Sequence, residues 1–321
     1  MATETGEGGP SVNWERGVLE RVTLAALQEQ RRARRWNILF RLLLFIFLFL
    51  VLFTFLGWLG KREPNLTGKH TALVEFKGVL TATGDASADK IIGGLQDAFS
   101  DKNTQGVILR INSPGGSPVQ AGHINDEMRR LRSKYPNVPL YVVVEDLCAS
   151  GGYYVAVAAD KIFVDKASLI GSIGVLMDGF GFTGTMEKLG VERRLLAAGE
   201  NKGFLDPFAP LNPAQKQYAE KMLAEIHQQF IKVVRDGRGA RLKETPDMFS
   251  GLVWTGDKSI ELGLADARGS MEYVAREIIK AENIVEYTQQ DNIAERLARR
   301  FGAAGAQALM SALSSPPGEL H

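Results

Sequence analysis

Cysteine is nearly absent. Cys148 is the only one in 321 residues, so no disulfide can form within the chain. Histidine is scarce too, four in all, and no Cys/His cluster has metal-ligand spacing. A structural zinc site is therefore not expected, and the serine chemistry set out below needs no cofactor. An excess of charge of either sign is also missing. With 38 basic and 37 acidic residues the net charge is +1, so no global field points to nucleic acid, and no nucleic-acid partner is expected. Short internal repeats of the solenoid kind are missing as well.

What is present begins with one long apolar run. Leu42 to Leu59 carries no charge, and the apolar stretch 36–60 is interrupted near its start by Asn37 and Arg41. That meets the requirement of about 20 apolar residues for a spanning helix. A cleaved signal peptide fits less well, because its apolar region is shorter and ends at a small-residue site. Trp36 and Trp58 stand where interfacial aromatics belong. Arg31, Arg32, Arg34 and Arg35 crowd the N-terminal flank against Lys61 and Arg62 on the other. The positive-inside rule then puts the N-terminus in the cytoplasm and everything after the span outside it.

The expected organisation follows. Residues 1–35 form a cytoplasmic tail, unstructured at first and then an amphipathic basic helix over 14–30, suited to anionic lipid. Residues 36–60 span the membrane, and 61–70 are a polar linker. Residues 71–290 form one α/β domain, since strand patterns at 72–76, 106–111, 140–144, 161–164, 173–176 and 191–196 alternate with helical ones. The helical patterns cover 88–100, 120–134, 150–159, 185–189 and 213 to about 234. The Gly237-Arg-Gly-Ala-Arg241 segment breaks the pattern, and 254–279 gives one more helix, a short turn and a final helix. Residues 291–321 hold an arginine-bearing helix, a solvated face or a membrane contact, and an unstructured tail.

Three segments carry chemistry. Asp146-Leu-Cys-Ala-Ser-Gly-Gly-Tyr-Tyr154 places Ser150 before two glycines. Small neighbours let a substrate carbonyl reach a serine hydroxyl and a backbone N–H face the oxyanion. Upstream, Gly106 to Gly116 is an apolar run ending in Pro-Gly-Gly. Downstream lies Asn201-Lys202-Gly203. A serine needs a base. His70 and His321 lie near the linker and at the chain's last residue, and His123 and His227 fall inside helical patterns without an orienting carboxylate. Lysine is the alternative base, provided it is removed from water. Each residue also has a plainer reading. Ser150 is then an N-cap, Pro114-Gly115-Gly116 a strand-ending turn, and Lys202 a loop lysine in solvent. Cys148, two residues before the serine, reads better as a small buried residue than as a rival nucleophile.

Four blocks arrive in order: Asn112-Ser-Pro-Gly-Gly116, Ala149-Ser-Gly-Gly-Tyr-Tyr154, Ala158-Ala-Asp-Lys-Ile-Phe163 and Gly171-Ser-Ile-Gly-Val175. They resemble the signal peptide peptidase A family of bacterial membrane serine proteases, in its short form, from about Thr71 to Ala275. The resemblance implies a crotonase-like fold, shared with the caseinolytic protease and built of repeated ββα/βαβ units after one transmembrane helix. It implies Ser150 as nucleophile, Lys202 as general base and Ser172 as the serine that orients the lysine. Gly116 and the amide of Gly151 would form the oxyanion hole. It further implies cleaved signal peptides and other extended apolar peptides as substrates, and a homo-oligomeric ring whose sites draw serine and lysine from adjacent protomers. The expected function is a serine endopeptidase at the outer face of the bacterial cytoplasmic membrane. A crotonase-like enzyme of coenzyme A thioesters and a non-enzymatic membrane scaffold are the rival readings.

The orientation is testable. A reporter active only outside the cytoplasm, fused after His321, is expected to be on, and a cytoplasmic reporter there to be silent; the reverse pattern rejects the N-in assignment.

Overall fold

The computed structural model describes residues 11–55 and 68–289. The chain divides into two units, Met1–Glu63 with Asn292–His321, and Pro64–Asp291. The expected unstructured start before residue 11, most of the 61–70 linker and the arginine-bearing helix with its tail lie outside the described residues.

In the first unit, α1 runs unbroken from Ser11 to Phe55. The amphipathic helix and the span expected as separate elements are one helix. No proline interrupts the segment, and its Arg, Gln and Leu residues are strong helix formers. Glu29–Phe53 is long and apolar enough to cross a membrane, with mean hydropathy 2.5. Its large side chains, Phe40, Phe45 and Phe49 among them, are exposed. Apolar surface on that scale suits lipid rather than water.

The second unit opens with β1 (His70–Lys77), α2 (Ala88–Ser100), β2 (Thr104–Ser113), α3 (Pro118–Lys134), β3 (Leu140–Ala149), α4 (Gly151–Ala156) and β4 (Lys161–Val164). Neighbouring strands in this series pair in parallel, giving three successive βαβ units. Strand alternation supplies two buried faces. Ala72, Val74 and Phe76 enter the main core under α2, α3 and α4, while Leu73 enters a second core with Ile108, Val143 and Phe163. Ser117 starts α3 by accepting a bond from the Gln120 N–H, with Pro118 in the first turn.

The later elements are β5 (Leu169–Gly171), α5 (Thr183–Lys188), α6 (Pro213–Arg238), β6 (Val253–Thr255), α7 (Gly256–Glu261), β7 (Ala267–Arg268), α8 (Met271–Tyr273) and β8 (Ile284–Glu286). A π turn, Val274–Ile279, continues α8. The sheet has eight strands, β6-β5-β3-β2-β1-β8, with β4 also on β3 and β7 on β4. One edge of β3 serves two neighbours. Tyr141–Val143 pair with β4, whereas Leu147–Ala149 pair with β5.

Several expected boundaries move. The strand expected at 173–176 lies at Leu169–Gly171, where antiparallel β6 pairs with it; positive φ at Gly171 and Ser172 then turns the chain off the sheet. No strand forms over 191–196, where the segment is exposed and joins no β-ladder among the described residues. Helix α6 continues through Gly237 instead of ending near Val234. The glycine is a close-packing point there, because a Cβ would collide with the Val157 carbonyl. Trp254 sits in β6 rather than at a helix start. At the opposite edge β8 lies beside β1, a strand of three residues too short to show a period.

The end of α6 is tied down by a buried ion pair. Arg238 is 1% exposed and donates to both Asp266 oxygens at 2.9 Å. Asp266 also accepts from the Ile162 N–H at 2.7 Å and from Arg241 at 3.1 Å. Burial pushes the Asp266 carboxyl up, but the bonds and charge of Arg238 outweigh it and hold the group below its ordinary range. A depressed folded-state value contributes stability above the unfolded value, near pH 4, and loses it as pH falls through the folded one. Asp266→Asn is expected to cost about 3 kcal/mol at pH 7, because it leaves Arg238 buried without its counter-charge. Thermal melts should show the gap to wild type closing below about pH 4.

Candidate active site

The site lies at the carboxyl ends of parallel strands, the usual position for a ligand crevice in such sheets. Three strand ends meet there. β2 ends in Ser113-Pro-Gly-Gly116, β3 runs directly into Ser150, and β5 ends at Gly171-Ser172.

The first two turns touch backbone to backbone. A Cβ on Gly115 (φ +99) would stand 2.6 Å from the Gly151 nitrogen and 2.8 Å from Ser150 Cβ. A Cβ on Gly116 (φ +141) would collide with the Leu80 carbonyl oxygen. Only glycine fits either place. Leu80 holds the turn from the far side: its N–H donates to Gly115 O at 2.8 Å, and its carbonyl accepts from Ser117 N–H at 2.9 Å. Because the flanking groups of 115 and 117 face Leu80, the Gly116 N–H points the other way, into the crevice. The Ser113 hydroxyl braces the turn from inside, donating to Gly78 O and accepting from the Gly115 N–H.

Ser150 sits at φ 51, ψ −122, a conformation that normally belongs to glycine. Its N–H donates to Gly171 O at 2.8 Å and its carbonyl accepts from Tyr154 N–H at 2.9 Å. The backbone is therefore fixed on both sides. Its side chain makes no cap bond to α4, so the N-cap reading of the hydroxyl does not hold. The hydroxyl is left for other chemistry. Strain of this kind costs about 1–3 kcal/mol and persists only where the surroundings impose it. Gly151 opens α4, so its N–H has no acceptor within the helix. A Cβ built on Gly151 would lie 3.3 Å from the Gly116 nitrogen, which sets the two amides side by side next to the serine.

A cleft of about 320 Å³ opens at these residues. Gly116, Ser150 and Gly151 form its polar end. Pro118, Ala121, Tyr154, Val175, Leu176, Ile226 and Phe230 supply apolar walls. No residue of that lining is cationic or anionic. Sequence reasoning did not reach these walls. The one available signal was spacing: Tyr154 follows Ser150 by one helical turn, as Phe230 follows Ile226.

Ser172 has the same φ as Ser150, 51°, and its N–H donates to Leu252 O at 2.7 Å. Lys202 is not brought to the serine. It lies exposed in the loop before α6 and takes no part in the cleft lining. Within one chain the structure thus assembles Ser150, Gly116 and Gly151, with Ser172 at the neighbouring strand end, and leaves Lys202 in solvent. Cys148 is fully buried and burial pushes its thiol up, as expected of a packed residue rather than a nucleophile. Of the candidate histidines, His70 is buried against Tyr287, His123 is exposed on α3, and His227 donates from Nε2 to Ile173 O at 3.1 Å.

Comparison with known proteins points to a family of peptidases. Residues 132–285 match the model of peptidase family S49. A Methanocaldococcus jannaschii protein whose name marks it as a candidate protease is 34% identical over 203 residues, 62% of this chain and 64% of that one. An Enterococcus faecium protein named as a candidate signal peptide peptidase SppA is 26% identical over 234 residues, 70% of this chain and 67% of its own. A Brucella melitensis protein named as the Na(+)/H(+) antiporter NhaA is 45% identical over 179 residues, which are 56% of this chain and 24% of that protein. The chain spans about a quarter of that relative and under two thirds of the archaeal one, so neither name is transferred with the match. The folded domain, with its parallel βαβ units and glycine-built serine site, has a crotonase-like fold, and these matches make the chain similar to peptidase family S49, the signal peptide peptidase A family.

Proposed function

We propose that this protein is a membrane-anchored serine endopeptidase that cleaves extended apolar peptides, cleaved signal peptides among them, at the outer face of the cytoplasmic membrane. The observation that carries the reading is the Ser150 hydroxyl, held at a strained backbone position beside the paired amides of Gly116 and Gly151. Ser150 Oγ attacks the scissile carbonyl, and the two N–H groups receive the charge that develops on its oxygen. The base takes the serine proton and returns it to the leaving amine. Water then hydrolyses the acyl-enzyme by the same route. The apolar walls of the cleft favour apolar side chains. The uncharged lining offers nothing to a nucleotide phosphate, which disfavours a coenzyme A ester as substrate.

Lys202 is the proposed base, supplied by a neighbouring copy of the chain. Two observations support a shared site. Lys202 is exposed in the single chain, and a lysine serves as base only when taken out of water. The segment that carries it is also unusually apolar on its surface: Leu176 is 81% exposed, Phe180 77% and Leu196 96%. Such a surface fits a protein partner better than solvent. A second protomer covering it would desolvate Lys202 and bring it to the Ser150 of its neighbour, with Ser172 orienting the amine.

Ser150→Ala and Lys202→Ala should each abolish peptide hydrolysis and leave folded protein. Mixing the two variants in one oligomer should restore activity at interfaces that pair an intact serine with an intact lysine. Differently tagged chains, co-expressed and isolated together, give the measurement. No recovery in a verified mixed oligomer rejects the shared site. Labelling of Ser150 by a fluorophosphonate probe tests the nucleophile separately. Gly116→Ala should lower kcat about 100-fold or more, the usual cost of losing one oxyanion donor, because the added Cβ forces the turn off Leu80.

A further inference from the structure

His227 is the candidate histidine that the proposed mechanism leaves unused. It lies on α6 between residues that line the cleft, Ile226 on one side and Gln229 and Phe230 on the other. Its Nε2 donates to the carbonyl of Ile173 at 3.1 Å, since a carbonyl can only accept. That carbonyl belongs to the peptide unit joining Ile173 to Gly174. The other end of the unit is held too, because Gly174 N–H donates to Ser172 O at 2.9 Å. Beyond it, Gly174, Val175 and Leu176 form the wall facing α6. This wall belongs to no strand, so no ladder of hydrogen bonds fixes its distance from the helix.

We propose that His227 is a positioning residue: it staples α6 to the 173–176 segment, sets the width of the apolar cleft beside Ser150, and so makes the site selective for a large apolar side chain. The inference rests on the reading of this cleft as the place where a substrate side chain enters. Ile173 is fully buried and anchors the segment from below, while the His227 bond fixes its carbonyl toward α6. Without that bond the peptide unit keeps only the Gly174 N–H tie to Ser172, and nothing ties it to α6. The wall then loses its register with Ile226 and Phe230, and Ser172, one residue earlier at φ 51°, loses a neighbour that holds its turn.

The test compares His227→Leu with His227→Gln in the full-length protein, using two peptides that differ only in Leu or Ala before the scissile bond. His227→Leu removes the donor, and glutamine offers an N–H in its place. The expected result for His227→Leu is a loss of about fivefold in kcat/KM on the leucine peptide, the effect of one lost hydrogen bond, carried mainly by KM. The alanine peptide should change little, so the Leu/Ala ratio falls, and His227→Gln should restore it. An unchanged ratio in His227→Leu overturns the proposal, as does a His227→Gln enzyme equally impaired. Complete loss in both variants would assign His227 to proton transfer and overturn it too. The same ratio is read without turnover from the affinity of the two peptides for the Ser150→Ala background carrying either His227 change. A wild-type protein that cleaves neither peptide sinks the peptidase reading, while the affinity ratio still decides the role of His227.

Discussion

The architecture of the site depends on one close approach, that of the Gly115-Gly116 turn to the Ser150-Gly151 backbone. Two parallel strands, β2 and β3, end side by side and their continuing chains pass within 3 Å of where a side chain would begin. That proximity sets the amides of 116 and 151 together. It also accompanies the backbone strain at Ser150, because the turn must leave β3 sharply and enter α4 at once. The strain is borne by the sheet: Ser150 is bonded to β5 through Gly171, and Leu80 clamps the opposing turn. As the proposed oxyanion donors, amides fixed in this way would need no reorganisation when charge develops on a substrate, which is where such sites gain most of their rate.

Dense strand pairing ends where β5 ends. From Gly174 to Asn212 the chain forms only one short helix, α5, and much of its apolar surface faces outward. Within it Phe182 stacks on Phe208, and Arg193 lies over the Phe208 ring while pairing with Asp206. The excursion therefore has internal order without a core of its own. A segment built like this is suited to completion by something outside the chain, and it carries the lysine proposed as base.

Much of this was legible in the sequence, and the boundary between legible and illegible is physical. The parallel units over 70–164 could be read because strand alternation, helix periodicity and Gly-Pro punctuation agree there; the helix at 88–100 and the strand at 161–164 fall where expected. Ser150 and its flanking glycines could be read because each glycine answers a backbone demand. The segment 191–196 misled because its apolar residues suggest a strand, whereas their surface faces outward in the single chain. Trp254 misled for a related reason: three residues of β6 form only because β5 stands opposite them. The cleft walls were invisible, since Tyr154, Val175 and Phe230 converge from three distant parts of the chain.

The pairing of β8 with β1 has a consequence for how the domain comes into being. Thr71 donates its N–H to Asn283 and its hydroxyl to Ala281, and His70 meets Tyr287 at 2.9 Å, so the first strand is completed by residues more than 200 positions later. Closing so long a loop precedes the contacts that reward it, and parallel sheets with such separations fold slowly. The leading strand must wait, its outer edge unpaired, until nearly the whole domain has been delivered. On the proposed topology, with the domain outside the membrane, completion of the fold waits until its last strand has crossed, so the proposed peptidase stays unfinished while it is still in transit.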